Sequence, residues 1–201
     1  AGRCYGADHD FSSSERLACW LMNQPWCGSM VSSDTAGNLD GLLPASLVGV
    51  EGKRAPDLSM SFKWDSGLNP GGYPGYMFNT GKEPGQGNHG SMSRHEQRCG
   101  LIVRGPNFKK GVVSEVASGN VDIMPTILHL LQVDPLGPMD GRVLDEALMT
   151  GFDTQKYSTK SHLAERIFDN GIYRQSITVS QVGSTTYVDE GNSTGLFSDE
   201  S

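Results

Sequence analysis

A histidine between two glycines, in Gly87-Asn88-His89-Gly90, is followed about ten residues later by the apolar run Leu101-Ile102-Val103 and then by Gly105-Pro106. This arrangement constrains the fold, because the glycines let the backbone turn sharply and the apolar run predicts a short strand that Gly105-Pro106 ends. Imidazole is a common ligand for zinc-like metals, so the loop could deliver His89 to a metal site. The alternative is an ordinary surface loop, because a metal centre needs several ligands and the neighbouring sequence supplies no others.

Composition limits the classes of function. The chain has 201 residues, of which 36% are hydrophobic and 26 are glycine, which suits a loop-rich globular chain with a core better than a helical bundle. No apolar run approaches the length needed to span a bilayer. The net charge of −7 provides no basic stripe for nucleic acid. We therefore expect no membrane and no nucleic acid as partner, whereas a small phosphate ester is compatible because bound metals can supply the positive field.

Three features bear on cellular location. The chain starts at Ala1 without a methionine or a signal peptide, so we expect a mature product or a fragment. Asn192-Ser193-Thr194 is a sequon, which makes Asn192 a candidate glycosylation site and favours a secreted protein. Secretion would make one or two disulfides plausible, and the alternative is four buried thiols, among Cys4, Cys19, Cys27 and Cys99.

Local patterns in the first half predict both helix and strand. Ser12-x-x-Glu15 has the spacing of a capping box and predicts a helix that Pro25 ends, with Trp20 and Trp26 packed in the core. Apolar and polar residues alternate over 58–63, which predicts a strand with one buried face. The Gly- and Pro-rich segment 65–90 is interpreted as a functional loop that carries His89.

The second half extends the predicted α/β architecture. Residues 99–104 predict a strand in the same central sheet as 58–63. Asn120 predicts the start of a helix over 120–131 that packs on this sheet through a buried stripe of Ile123, Ile127, Leu130 and Leu131.

Beyond that helix, the expected elements are shorter. Asp140-Gly141-Arg142 predicts a turn into a short helix, with Arg142 in a structural salt bridge. Further along, we expect a helix over 158–168 and a peripheral β-hairpin over 177–188.

Four segments together are similar to a known family: Gly87-Asn88-His89-Gly90-Ser91, Gly105-Pro106-Asn107-Phe108-Lys109-Lys110-Gly111, residues 120–128, and Met139-Asp140-Gly141-Arg142-Val143-Leu144. Arg54-Ala55-Pro56-Asp57, ahead of the predicted strand, adds a fifth. In this order they resemble the C-terminal part of the alkaline phosphatase superfamily, closest to its type I phosphodiesterase/nucleotide pyrophosphatase and sulfatase-like branches. The resemblance implies that residues 1–150 form the C-terminal half of an alkaline-phosphatase-like α/β sandwich, and that 151–201 add a helix, a hairpin and a polar tail.

The resemblance also implies a chemistry. Members of the superfamily hold two metal ions, usually zinc, and a Ser, Thr or formylglycine nucleophile attacks phosphorus or sulfur between them. His89 matches the late histidine ligand of the family, whereas His9, His95, His129 and His162 do not match ligand positions. Asp8-His9-Asp10 is superficially similar to the family's Asp-His-Gly ligand pair, but an exposed polar turn is the alternative that we favour.

The nucleophile and the other ligands are not found in the aligned part of this chain. Two hypotheses follow. The chain is part of a secreted metal-dependent phosphoesterase that hydrolyses phosphate monoesters or diesters once another segment supplies the missing residues, and it is inactive alone. Alternatively, it is a non-catalytic secreted structural or assembly subunit derived from that superfamily. Half of such a domain would leave strand edges uncovered, so both hypotheses predict binding to the missing N-terminal half or self-association.

Overall fold

The computed structural model describes residues 2–4, 10–33, 36–78, 86, 89–152 and 156–196. The protein is a mixed α/β chain with several sheets and few helices. It divides into two compact units: unit 1 contains Ala1–Arg98, Ser161–Thr178 and Val188–Ser201, and unit 2 contains Cys99–Lys160 and Val179–Tyr187. Both units include parts of the segment 151–201, and the domain boundary predicted after residue 150 stays a prediction.

The main sheet of unit 1 contains, within the described residues, β1 (Gly2–Cys4), β2 (Cys27–Ser32), β3 (Leu43–Pro44) and β4 (Leu58–Phe62). Their order is β1-β4-β2-β3; β4 is antiparallel to β1 and β2, and β3 is parallel to β2. The strand predicted from the alternation over 58–63 is therefore confirmed as β4. A Cβ atom on Gly28 would lie 2.7 Å from backbone atoms of Phe62, so the close approach of β2 to β4 requires glycine there.

The helix α1 (Phe11–Met22) packs on the core of unit 1, and the helix that the sequence predicts is confirmed. Its N-cap is Asp10 instead of Ser12, because the Asp10 carboxylate accepts hydrogen bonds from the backbone N–H groups of Ser12 and Ser13, at 3.3 and 2.9 Å. The placement of Trp20 in the core is wrong, because its side chain is 55% exposed, whereas Trp26 is half-buried and packs against the core. At 100° per residue Trp20 lies away from the buried face, which consists of Ser14, Ala18, Leu21 and Met22.

Part of the predicted loop over 65–90 is regular. The strands β5 (Trp64–Leu68) and β6 (Pro74–Met77) pair antiparallel as a two-stranded ribbon. Residues 79–85, 87 and 88 lie outside the described residues. The prediction that residues 65–90 form a functional loop is therefore tested only for the described part of this segment.

The C-terminal segment forms a sheet of β7 (Tyr157–Phe168), β8 (Gly171–Val182) and β9 (Thr185–Ser193), in that order. The helix predicted over 158–168 is wrong, because β7 pairs with the β-branched-rich β8 and this pairing overrides the helix propensity of its alanine and glutamate. The hairpin predicted over 177–188 is confirmed, with its turn at residues 183–184.

The strand β8 begins at Gly171, upstream of the predicted hairpin, and its first part lies in the core of unit 1. Tyr173 on β8 is fully buried in the core of unit 1, and its hydroxyl donates to the Gly28 carbonyl at 2.6 Å. Gln175, two residues on, donates to the Gly41 carbonyl at 2.6 Å and accepts from the Met30 N–H at 2.7 Å. Because Gln175 is polar, it interrupts the alternation of apolar residues that indicates a buried face, and the strand was predicted to begin only at Ile177.

Unit 2 contains α3 (Ile123–Leu131), preceded by a 3₁₀ turn at Asn120–Asp122, so the predicted helix is confirmed. Its predicted buried stripe is wrong: Ile123, Ile127 and Leu131 are exposed, and Thr126 is the buried residue. Thr126 Oγ1 donates to the Asp122 carbonyl at 2.7 Å and accepts from the Leu144 N–H at 3.1 Å, so polar contacts select the inward face.

The strand predicted over 99–104 is also wrong, because this segment has no regular structure and Ile102 is 94% exposed. An apolar run forms a strand only where a neighbouring strand pairs with it, and none does so among the described residues. The short helix expected after Arg142 is a single 3₁₀ turn, Asp145–Ala147, with Leu144 and Leu148 buried beside it. No helix in the described part of the chain is long and apolar enough to cross a bilayer.

Candidate functional site

His89 lies on the surface of unit 1 and is exposed. Gly90, the next residue, has φ of 86°, in the left-handed region that side chains disfavour. The second glycine of the sequence motif is therefore required by the backbone, as the turn interpretation predicts. Gly87 and Asn88, which precede His89, lie outside the described residues.

The chain just after Gly90 is fixed to the sheets of unit 1. Ser91 and Ser93 are buried, at 2% and 5% exposure. Between them, the Met92 N–H donates to Ser61 Oγ at 2.8 Å, and the Met92 carbonyl accepts from the Gly191 N–H at 2.8 Å. Residues 91–93 thus bind to β4 on one side and to β9 on the other. We call residues 91–93 the anchor segment.

A one-turn helix, α2 (Arg94–Gln97), follows the anchor segment, and Ser93 caps it by accepting from the His95 N–H at 3.3 Å. The first side chain, Arg94, forms a bidentate ion pair with Glu190 on β9, with one contact of 2.7 Å, and its guanidinium lies 5.6 Å from the centre of the Trp64 ring. These contacts hold the start of α2 against both β9 and β5.

His95, the second residue of α2, is oriented by β5. Its Nε2 lies 3.1 Å from Ser66 Oγ, and its ring packs edge-on against Trp64 with centroids 5.9 Å apart. The ring nitrogen that faces β5 is therefore already engaged by a protein hydroxyl.

The last two side chains of α2 turn back to Ser91. Glu96 Oε2 accepts from the Ser91 N–H at 3.2 Å and from the Ser91 hydroxyl. Gln97 Nε2 donates to the Ser91 carbonyl at 2.6 Å. Neither residue was predicted as functional from the sequence, although Ser93-x-x-Glu96 has the spacing of a capping box and points to Glu96.

The other histidines lie elsewhere. His129 is exposed on α3 of unit 2, His162 is half-buried on β7, and His9 lies outside the described residues together with Asp8. Asp10, the third residue of the Asp8-His9-Asp10 motif, uses its carboxylate as the N-cap of α1. The role of Asp10 is therefore structural, because its carboxylate caps the start of α1.

A second polar cluster occupies the interior of unit 2 and contains residues of the family-like segments. Asp122 is fully buried and accepts from three donors: the Gly119 N–H at 2.8 Å, the Arg142 N–H at 2.9 Å and the Tyr187 hydroxyl at 2.9 and 3.0 Å. Burial, together with the neighbouring Asp122 carboxylate, raises the pKa of Tyr187 to about 12. The phenol is therefore neutral and acts as a donor at physiological pH.

Arg142 forms the salt bridge that the sequence predicts. Its guanidinium contacts Glu146 through two bonds of 2.7 and 2.8 Å, and both side chains are largely buried. Burial by itself would raise the pKa of Glu146, but its hydrogen bonds with Arg142 and its own backbone hold the pKa below the ordinary value. Because this cluster is satisfied internally, its chemistry is that of a structural network.

Asn192, the candidate glycosylation site, lies in β9 and is half-buried. Its side-chain amide donates to the Trp64 carbonyl at 2.7 Å, and its carbonyl accepts from the Trp64 N–H at 3.3 Å. The amide thus extends the backbone pairing to β5. A glycan would occupy one of the two N–H bonds of this amide, and glycosylation at Asn192 stays a prediction.

The zinc or other divalent cation implied by the resemblance stays a prediction. Among the described residues there is no group of three or more His, Cys, Asp or Glu side chains placed to hold one metal ion. His89 offers one exposed imidazole, which could serve as a ligand only with donors from elsewhere. None of the four cysteines, all of which lie in described ranges, forms a disulfide, and burial raises the pKa of Cys27 to about 12.

A comparison of the chain with known protein families, with curated proteins and with solved structures found no match.

Proposed function

We propose that this chain is the C-terminal half of a secreted, metal-dependent phosphoesterase of the alkaline phosphatase superfamily. In this proposal another segment supplies the nucleophile and most metal ligands, and the assembled enzyme hydrolyses phosphate monoesters or diesters. The proposal rests on the resemblance, in which His89 matches the family's late histidine ligand. The observation that supports it is that His89 is exposed beside a glycine whose φ of 86° only a glycine readily adopts.

The order of the family-like segments gives further support. Residues 105–111, 120–128 and 139–144 all fall within unit 2, where the Asp122 and Arg142 contacts connect the second and third of these segments. The metal, zinc or another divalent cation, would polarise the ester oxygens and neutralise developing charge when bound. The part of His89 would be to present a neutral imidazole nitrogen to it.

The second candidate is a non-catalytic structural or assembly subunit derived from the same superfamily. It is favoured by the apolar residues exposed on α3, among them Met124, Ile127 and Leu131, and by the exposed run 101–103. Contiguous apolar surface of this kind is typical of interaction sites. Both candidates require a partner, which we propose is the missing N-terminal half, with self-association as the alternative.

The experiment that separates the candidates is purification of the native assembly through a tag on this chain. The zinc content and the hydrolysis of p-nitrophenyl phosphate and bis-p-nitrophenyl phosphate are measured for wild type and for His89→Ala. The matched control is His129→Ala, an exposed histidine on α3. We expect His89→Ala to lower turnover by more than the roughly 10- to 100-fold that loss of an outer-shell partner costs, and the control to change little.

Three outcomes discriminate. Loss of zinc and turnover only in His89→Ala supports the enzyme. An assembly with no zinc and no turnover in wild type supports the structural subunit. Robust metal-dependent turnover by the isolated chain contradicts the proposal, because it would require ligands and a nucleophile that the resemblance does not identify.

A further inference from the structure

We propose that Glu96 and Gln97 are positioning residues that fix the direction in which His89 is presented. The proposal rests on the proposed function, in which His89 is a ligand. Its basis is that the two side chains satisfy both backbone polar groups of Ser91: Glu96 accepts from the N–H at 3.2 Å, and Gln97 donates to the carbonyl at 2.6 Å. The Ser91 hydroxyl also donates to Glu96 and accepts from the Ser93 N–H at 3.1 Å.

These contacts affect His89 because they restrict the backbone two residues further along the chain. Only Gly90 separates His89 from Ser91, and a glycine has access to far more backbone conformations than any other residue. Its φ of 86° is one choice among several that glycine tolerates. The Glu96 contact fixes the Gly90–Ser91 peptide plane, and the Gln97 contact fixes the next plane, Ser91–Met92. Holding both planes limits the conformations open to Gly90, and so limits where the His89 imidazole can lie. A loop ligand needs this kind of support, since catalytic groups must be held within about 0.5 Å of their working position.

The helix that carries the two side chains is itself held in place. Arg94 is paired with Glu190, and His95 contacts Ser66 and Trp64, so the first two side chains of α2 attach it to β9 and β5. The last two are then directed at the anchor segment. Glu96 is not required to cap α2, because Ser93 caps it. Two side chains thus attach α2 to the strands, and the other two support Ser91. With this arrangement α2 can hold the position of the anchor segment.

The test uses amide hydrogen exchange of the full chain, measured by NMR at Ser91. Wild type is compared with Glu96→Ala, Glu96→Gln and Gln97→Ala; the matched control is Glu165→Ala, which removes an exposed glutamate that pairs with Arg174. We expect Glu96→Ala to speed exchange of the Ser91 amide roughly 10- to 100-fold, as loss of a hydrogen bond to a charged group does. Glu96→Gln keeps an acceptor oxygen and should restore most of the protection, while the control leaves it unchanged.

The same variants in the native assembly connect the contacts to catalysis. We expect Glu96→Ala to lower kcat about tenfold or more, while KM and the midpoint of unfolding stay nearly unchanged. We expect Glu96→Gln to recover most of the lost kcat. Unchanged Ser91 exchange in Glu96→Ala overturns the positioning role, whatever His89 does. If His89→Ala keeps full activity and full zinc content, the proposed function is wrong. The contacts at Ser91 then have no role in catalysis, even if Ser91 exchange responds as expected.

Discussion

Removing Arg142 should destabilise unit 2 far more than a surface substitution would. The guanidinium is 13% exposed and Glu146 is 6% exposed, so Arg142→Met leaves a buried carboxylate without its main partner. It also leaves the Ala117 carbonyl, now 3.0 Å from the guanidinium, without that donor. Breaking a buried ion pair from one side typically costs about 3–5 kcal/mol, a large part of the roughly 5–15 kcal/mol that stabilises a whole domain.

The double variant Arg142→Met/Glu146→Met tests whether the unpaired buried carboxylate causes the loss of stability. With both charges gone, no buried carboxylate remains unpaired, and such replacements are often close to neutral. The carbonyls of Ala117 and Val143 still lose a donor, at about 1 kcal/mol each. We therefore expect the double variant to lose about 1–2 kcal/mol, less than the single variant.

The assay is urea unfolding followed by far-UV circular dichroism, with hydrogen-exchange mass spectrometry of peptides from Cys99–Lys160 to locate the change. The matched control is Arg174→Met, whose pair with Glu165 is 58% exposed on both sides and should be worth less than about 1 kcal/mol. An Arg142→Met loss as small as that of the control would refute the reasoning. So would a double variant as unstable as the single one, because the unpaired charge would then not be the cause.

Two further predictions concern stability. Asn192→Ala removes both hydrogen bonds to the backbone of Trp64 and should lower the free energy of unfolding by about 1–3 kcal/mol in a urea titration; no loss would mean that the amide does not join β9 to β5. Because the pKa of Tyr187 is raised to about 12 in the folded protein from 10.0, its contribution to stability is complete below pH 10 and is lost as the pH rises through 12. The difference in phenolate absorbance between wild type and Tyr187→Phe should therefore titrate near pH 12, and a difference that titrates near pH 10 would contradict the buried hydrogen bond to Asp122.

Local sequence patterns predicted several elements correctly because the forces behind them are local. The alternation over 58–63 is confirmed as β4, and the hairpin over 177–188 follows from strand-forming residues on both sides of a Gly-Ser turn. The helices α1 and α3 follow from apolar residues at helical spacing. In each case the deciding residues lie within one or two turns of each other.

Where the sequence prediction is wrong, a distant partner decided the outcome. The segment 158–168 contains good helix formers, yet it is a strand because β8 pairs with it. Residues 99–104 have a strand-like composition but no neighbouring strand among the described residues. On α3 the buried face contains Thr126 instead of the predicted apolar stripe, because the Thr126 hydroxyl accepts a hydrogen bond from the Leu144 N–H, 18 positions away.

The candidate site divides in the same way. His89 and the need for glycine at position 90 follow from the sequence, because a left-handed backbone at one residue is a local requirement. The contacts that hold the anchor segment come from Ser61, Gly191, Glu96 and Gln97, and the first two lie far away in the chain. Hydrogen bonds between such distant groups leave no periodic trace in a single sequence. The candidate ligand and the requirement for glycine were therefore predictable from the loop's own residues, whereas the contacts that fix the anchor segment were decided only by the tertiary structure of unit 1.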